Sequence, residues 1–205
     1  MVVVALLAIA AVTTWTVVLV DTGGPAAAAA CPPPTTGTLP GQVVDAAALD
    51  AVAPVPPSAA RVRVLNAGGQ RGQANLVAAQ LADLGFAEAA PPDNDPLHPQ
   101  GKMECIGQLR FGPAGQGAAR TLTLVVPCTE LVRDDRTDDT VDISVGTGFR
   151  DVNPPRAVRN ALDQIGTGGG SDGSANADPS DPAASAGAAP GVDPTVLETA
   201  RNAAC

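Results

Sequence analysis

Between positions 61 and 166 the apolar residues change period along the chain, from alternation to helical spacing and back. That switch restricts the region to a mixed α/β fold. Arg61–Asn66 (RVRVLN) alternates Val62 and Val64 with polar neighbours and then adds Leu65, the pattern of a strand. Gly68, Gly69 and Gly72 follow as a loop. Residues 73–84 set Leu76, Val77, Gln80, Leu81 and Leu84 at helical spacing, and Gly85 supplies the stop. Further strands are predicted at 86–90, at 106–111 and, by strict alternation, at 141–145 (VDISV), with a turn-rich loop over 91–101. Asn153 and Pro154 mark a helix start ahead of Val158, Ala161, Leu162 and Ile165 on one face. Segment 114–126 begins like a helix and ends like a strand (TLTLVV), and periodicity alone leaves it open. The fold class read from this order is α/β: a single small sandwich of one β-sheet with helices packed on it.

The flanks read differently. Residues 1–20 hold no charge, no Pro and no Gly. About 20 apolar residues at 1.5 Å each span a hydrocarbon core of roughly 30 Å, so a transmembrane anchor is predicted there. A cleaved signal peptide is the nearer rival, but its apolar part is shorter and follows a basic stretch. Eight prolines make 21–60 an extended spacer, and 167–190 is a flexible Gly/Ser/Ala/Asp linker. A short helix is predicted over 191–205, opened by Asp193 and Pro194. The alanines at 26–30 before Cys31 resemble a lipoprotein cleavage site, poorly, since position 28 is Ala. Four cysteines behind a membrane signal imply an oxidising exterior. The predicted location is the plasma membrane, single-pass, with the bulk of the chain outside the cytoplasm.

Charge excludes some functions. The net charge is −9, with 12 Lys and Arg against 21 Asp and Glu. An electrostatic nucleic-acid binder needs a basic face, so nucleic acid is not an expected partner. Aromatics are 2% of the chain and Tyr is absent, which removes base-stacking platforms. One His and four Cys leave little for a closed zinc site, and no cofactor or metal is expected.

The block RVRVLNAGGQRGQANLVAAQLADLGF resembles the opening of the LytR C-terminal domain family: a short V-x-V-L-N strand, a Gly loop, an Ala-rich helix and a G-F exit. GQLRFGPAGQGAARTLTLVV is similar to that family's second half, and VDISVGTGF to its final strand. The resemblance covers residues 61–150, with 151–166 as an additional helix, and it implies a helix over 114–126. In LytR-CpsA-Psr proteins this domain follows a catalytic domain that transfers glycopolymers to peptidoglycan through an Arg- and Asp-rich site. Residues 21–60 contain no Arg, so the resemblance implies an accessory or binding role without the transferase activity.

Candidate sites are few. Ala67-Gly68-Gly69-Gln70-Arg71-Gly72 is a relative of the dinucleotide fingerprint, in which bare glycine backbone and a helix N-terminus bind pyrophosphate. Glu88 follows too early for the ribose-binding acid, and the domain is too short for two mononucleotide halves. The plain reading is a tight strand-to-helix turn; in between stands an anion- or partner-binding loop of Gly68, Gly69, Arg71 and Gly72. Asp134, Asp135, Asp138, Asp139 and Asp142, around Arg133 and Arg136, read as a solvated loop, since their spacing matches no EF-hand. His98 reads as a surface residue. C-x-x-C does not occur, and no catalytic residue is assigned. If 114–126 returns as a helix beside strand 106–111, Cys105 and Cys128 meet at one sheet edge, pairing Cys105 with Cys128 and leaving Cys31 for Cys205.

The expected function is that of a membrane-anchored, non-catalytic extracytoplasmic protein that maintains envelope integrity by binding an envelope protein or cell-wall polymer. The alternative is a small phosphate- or nucleotide-binding enzyme using the loop at 68–72.

Overall fold

The alternating segments form one seven-stranded sheet in the computed structural model, which describes residues 30–167. The strands are β1 (Gly41–Val44), β2 (Arg61–Asn66), β3 (Ala87–Glu88), β4 (Asp93–Asn94), β5 (Gly107–Phe111), β6 (Glu130–Asp134) and β7 (Val141–Val145). The helices are α1 (Gln73–Asp83), α2 (Gln116–Val125) and α3 (Arg156–Gly166). Strand order is β1-β6-β5-β7-β2-β3, with β4 on the same edge of β2 as β3. β2 runs parallel to β3, β4 and β7, and β5 parallel to β6. β5–β7 and β1–β6 are antiparallel. Parallel neighbours need a long crossover, and α1 and α2 supply it between β2 and β3 and between β5 and β6.

Alternation places Val62 and Val64 of β2, Leu109 and Phe111 of β5, Leu131 of β6, and Val141, Ile143 and Val145 of β7 in one buried cluster. Val77 and Leu81 of α1, Ala119 and Leu122 of α2, and Val158, Leu162 and Ile165 of α3 pack into the same cluster. All three helices therefore cover one face of the sheet. Segment 114–126 is helical, as the family resemblance implies. Leu76, assigned to the apolar stripe of α1, is exposed instead, because the buried stripe follows Ala74, Val77 and Leu81. Gly85 ends α1 with φ +86° while the Phe86 N–H bonds back to Leu81 O, a left-handed stop.

Part of the expected spacer belongs to the domain. Residues 41–44 form edge strand β1, and Leu49 is fully buried in the core. Proline-rich composition hides this, since a four-residue edge strand needs only one partner strand and leaves a weak pattern. Among the described residues no helix is long and apolar enough to cross a membrane. The predicted anchor at 1–20, the C-terminal linker beyond 167, the helix over 191–205 and Cys205 lie outside the described residues.

Cys31 is bonded to Cys105, which overturns the Cys105–Cys128 and Cys31–Cys205 pairings. Cys105 packs with Ala67 and Met103 in a loop away from the helices, where Cys31 arrives. Cys128 follows α2 and is itself disulfide-bonded. Proximity to one sheet edge does not pair Cys105 with Cys128, because the N-terminal segment, held by the Cys31 N–H on Glu130, delivers Cys31 to Cys105 instead.

The glycine loop is a place of close backbone approach. A Cβ on Gly69, at φ +75°, would sit 2.7 Å from Gly101 O, and one on Gly68 would sit 2.6 Å from Gly146 O. Gly69→Val is expected to cost about 2–4 kcal/mol in urea unfolding, from left-handed strain plus overpacking. Gly72→Ala, at φ +79° with nothing within 4 Å, is expected to cost only about 1 kcal/mol. Equal costs at the two positions would refute the close-packing account.

Candidate functional site

The face without helices is polar by the same alternation. Arg63, Asp142, Arg110 and Val132 stand abreast on β2, β7, β5 and β6, and Leu65, Ser144, Gln108 and Glu130 form the next row. Two different things happen on this face.

One half is sealed. Residues 95–105 fold over it, pinned by the Asp95 N–H to Asn66 O, the Met103 N–H to Ala67 O and the Cys31–Cys105 bridge. Thr35 and Thr36 donate their N–H groups to Leu97 O, laying the N-terminal segment over this loop. Beneath it runs a buried polar chain. Glu130 accepts from the Cys31 N–H and from Gln108 Nε2, the latter at 2.6 Å. Arg110 donates to Gln108 Oε1 and, from Nη1 and Nη2, to Asp95 at 3.2 and 2.8 Å. Asp95 also accepts from the Ser144 hydroxyl and the Leu97 N–H. Burial pushes the Asp95 carboxyl up, but Arg110's hydrogen bonds and charge outweigh it and hold it below the usual carboxylate range. The side chains of Asp95 and Arg110 are 0% and 3% exposed, so this is a full interior ion pair.

His98 belongs to the same loop and is 2% exposed, not at the surface as its loop sequence suggests. The loop is wrapped tightly enough to bury it, with the Gly101 N–H bonded to His98 O. Neither ring nitrogen finds a hydrogen-bond partner among the described residues. Ser144, Asp95 and His98 do not form a nucleophile relay: the hydroxyl donates directly to the carboxylate, and Ser144 is fully buried. Burial, the leading cause, holds the imidazole below its ordinary 6.5. As pH falls through 6.5 the unfolded chain takes up the proton first, so stability is lost below that pH until the folded imidazole protonates. The urea midpoint of the wild type is expected to drop between pH 7.5 and 5.5 more than that of His98→Leu. Parallel pH dependence of the two proteins would remove His98 from the account.

The other half is open. Two cavities of about 510 and 460 Å³ lie on it, and Arg63 and Ala90 line both. Arg63 is held by Asp142 through Nε at 2.8 Å and Nη2 at 2.7 Å, yet its side chain is 43% exposed. Arg136 spans Asp134, at 2.7 Å, and Asp142, at 3.0 Å. These bonds raise the Arg63 pKa, led by the hydrogen bond to Asp142. Burial lowers that of Arg136, but Asp134 and Asp142 more than offset it. The solvated acidic loop expected here thus divides. Asp134 and Asp142 are buried strand residues that clamp arginines; Asp135, Asp138 and Asp139 are exposed. Arg133 is on the helix side, bonded to Gln116. The groove is absent from the sequence-based expectations, although its signal is present: in RVRVLN and VDISV the polar residues between the core positions share the face opposite the helices.

The glycine loop does not form a phosphate cradle from Gly68 and Gly69. The N–H groups of both are taken by Asn66 Oδ1, while Asn66 Nδ2 bonds Gln70 O. Backbone at 101 and 146 stands where a Cβ on Gly69 or Gly68 would sit. Arg71 is exposed and Gly72 caps α1 in a left-handed conformation. The structure brings these four residues together as a turn, and none of them lines either of the two cavities described above.

A family model described as LytR cell envelope-related transcriptional attenuator matches residues 59–149. The chain is 48% identical over 109 residues to the cell envelope integrity protein Cei of Mycobacterium tuberculosis, a match covering 53% of this chain. The chain spans about half the length of that curated relative, the match covering 50% of it. A crystal structure of the soluble domain of a conserved hypothetical secreted protein from Mycobacterium marinum aligns with a TM-score of 0.65 at 35% identity. That alignment covers 81% of this chain and 99% of the solved one.

Proposed function

Since the chain belongs to the LytR C-terminal domain family, we propose that it is a membrane-anchored, extracytoplasmic binding module that supports envelope integrity and carries out no group transfer itself. The observation that carries this reading is the divided helix-free face. One half is sealed by a disulfide-pinned loop, and the other is left open with its buried charges already paired. A disulfide at Cys31–Cys105 fits an oxidising compartment. The apolar run at 1–20 supplies the tether. Its partner is an envelope protein or a cell-wall polymer. The name of the mycobacterial relative supports the same process.

The test uses cells lacking their own copy. The full chain is expected to restore resistance to detergent and to fractionate with membranes. A chain starting at residue 30 behind a cleavable export signal is expected to reach the exterior without restoring resistance. Restoration by the untethered chain would refute the anchor, and failure of the full chain would refute the envelope role.

A further inference from the structure

The geometry points to the open half of the helix-free face as a binding groove for an uncharged, hydroxyl-rich linear polymer, a neutral polysaccharide chain, gripped at its middle by Arg63. This rests on the envelope-binding reading and names the ligand class that such a module would take. The shape comes first. Two cavities, each within the range of roughly 300–1,000 Å³ that holds a small ligand, share Arg63 and Ala90. A ligand that crosses Arg63 occupies both, so the groove suits an extended chain better than a single compact molecule.

The charge pattern selects the chemistry. Arg63 stands at the centre, its guanidinium plane fixed by the two bonds to Asp142. Only Nε and Nη2 are used in those bonds, and the half-exposed side chain lines both cavities, so the guanidinium keeps donor capacity for a ligand. Exposed carboxylates flank it: Asp135 and Asp138 line the first cavity and Asp93 the second, while Arg136, which also lines the first, is already paired with Asp134 and Asp142. An ammonium-bearing chain therefore meets like charge at the centre, and a phosphate- or uronate-bearing chain meets like charge at both ends. The net charge of −9 adds to that second repulsion. A hydroxyl both donates and accepts, so it satisfies the guanidinium and the carboxylates alike. Ala90, Pro91 and Pro92 give the wall a small, rigid apolar surface for sugar C–H groups. Their stiffness limits the ordering cost of binding.

Affinity electrophoresis of the full chain in mild detergent tests this, with dextran, mannan or galactan cast into the gel and polygalacturonate as the anionic counterpart. At least one neutral polymer is expected to retard the wild type while polygalacturonate does not. Arg63→Ala is expected to weaken that retardation about tenfold or more, the scale of a lost charged hydrogen bond. Asp142 keeps Arg136 as a partner in this variant, so the fold is expected to hold; a thermal melt checks it. If Arg63→Ala does not fold, Asp135→Lys, on the exposed loop, takes its place and is likewise expected to lose retardation. The proposal is overturned if no neutral polymer retards the wild type, if polygalacturonate binds more tightly, or if a folded variant is retarded like the wild type. Restoration of detergent resistance by a chain that binds no neutral polymer refutes the groove alone; failure of the unaltered chain to restore resistance refutes the envelope reading itself.

Discussion

Arg110→Met is expected to destabilise the domain by about 3–5 kcal/mol in urea unfolding, because it strands the Asp95 carboxylate in the interior. Domain stabilities are typically about 5–15 kcal/mol, so this is a large share of the total. Asp95 would keep only the Ser144 hydroxyl and the Leu97 N–H, and Gln108 would lose its guanidinium donor. Adding Asp95→Leu is expected to recover much of the loss, since removing both charges also removes the need to desolvate them. The single and double variants should thus be strongly non-additive. Losses that simply add would show that the two residues contribute separately. The pair also sets an acid limit. Asp95 has a folded pKa below its unfolded value, so its contribution is complete above the unfolded value and is lost as pH falls through the folded one.

Cys31→Ser combined with Cys105→Ser is expected to cost a comparable amount, roughly 4–5 kcal/mol on the chain-entropy account for a bridge closing 74 residues. The double variant is the right probe, because a reducing agent would also open the bond at Cys128. The loss should be local at first. Residues 31–44 are held to the sheet by β1, by the Cys31 N–H to Glu130 and by the bonds of Thr35 and Thr36 to Leu97 O. Hydrogen exchange is expected to quicken there and at 101–105 before the β5–β7–β2 centre is touched. Unchanged protection at 31–44 would mean that β1 pairing alone holds the segment. Non-reducing peptide mapping should return a Cys31–Cys105 peptide.

The elements with strong local period are legible in the sequence alone. β2 and β7 lie where alternation puts them, and α1 ends at Gly85 for the reason its sequence suggests. Helix α2 is legible only through family resemblance, because TLTLVV satisfies both periods. β6 is hidden within a run dominated by acidic residues. In the strand, Glu130 and Asp134 are buried by pairing with Gln108 and Arg136, a long-range or turn-dependent compensation that composition does not reveal. The glycine loop does need its conformational freedom, but the freedom serves backbone packing against 101 and 146.

Local patterning decided the α/β class, the helix-facing core and the polar character of the opposite face, because side-chain direction repeats every two residues in a strand and every 3.6 in a helix. Tertiary structure alone decided which cysteines meet, that His98 is buried, and that Arg63, Arg136, Asp134 and Asp142 share one groove. Each of those depends on which loop lies over which half of the sheet. That placement arises from contacts between residues as far apart as 31 and 105, and no local period encodes it.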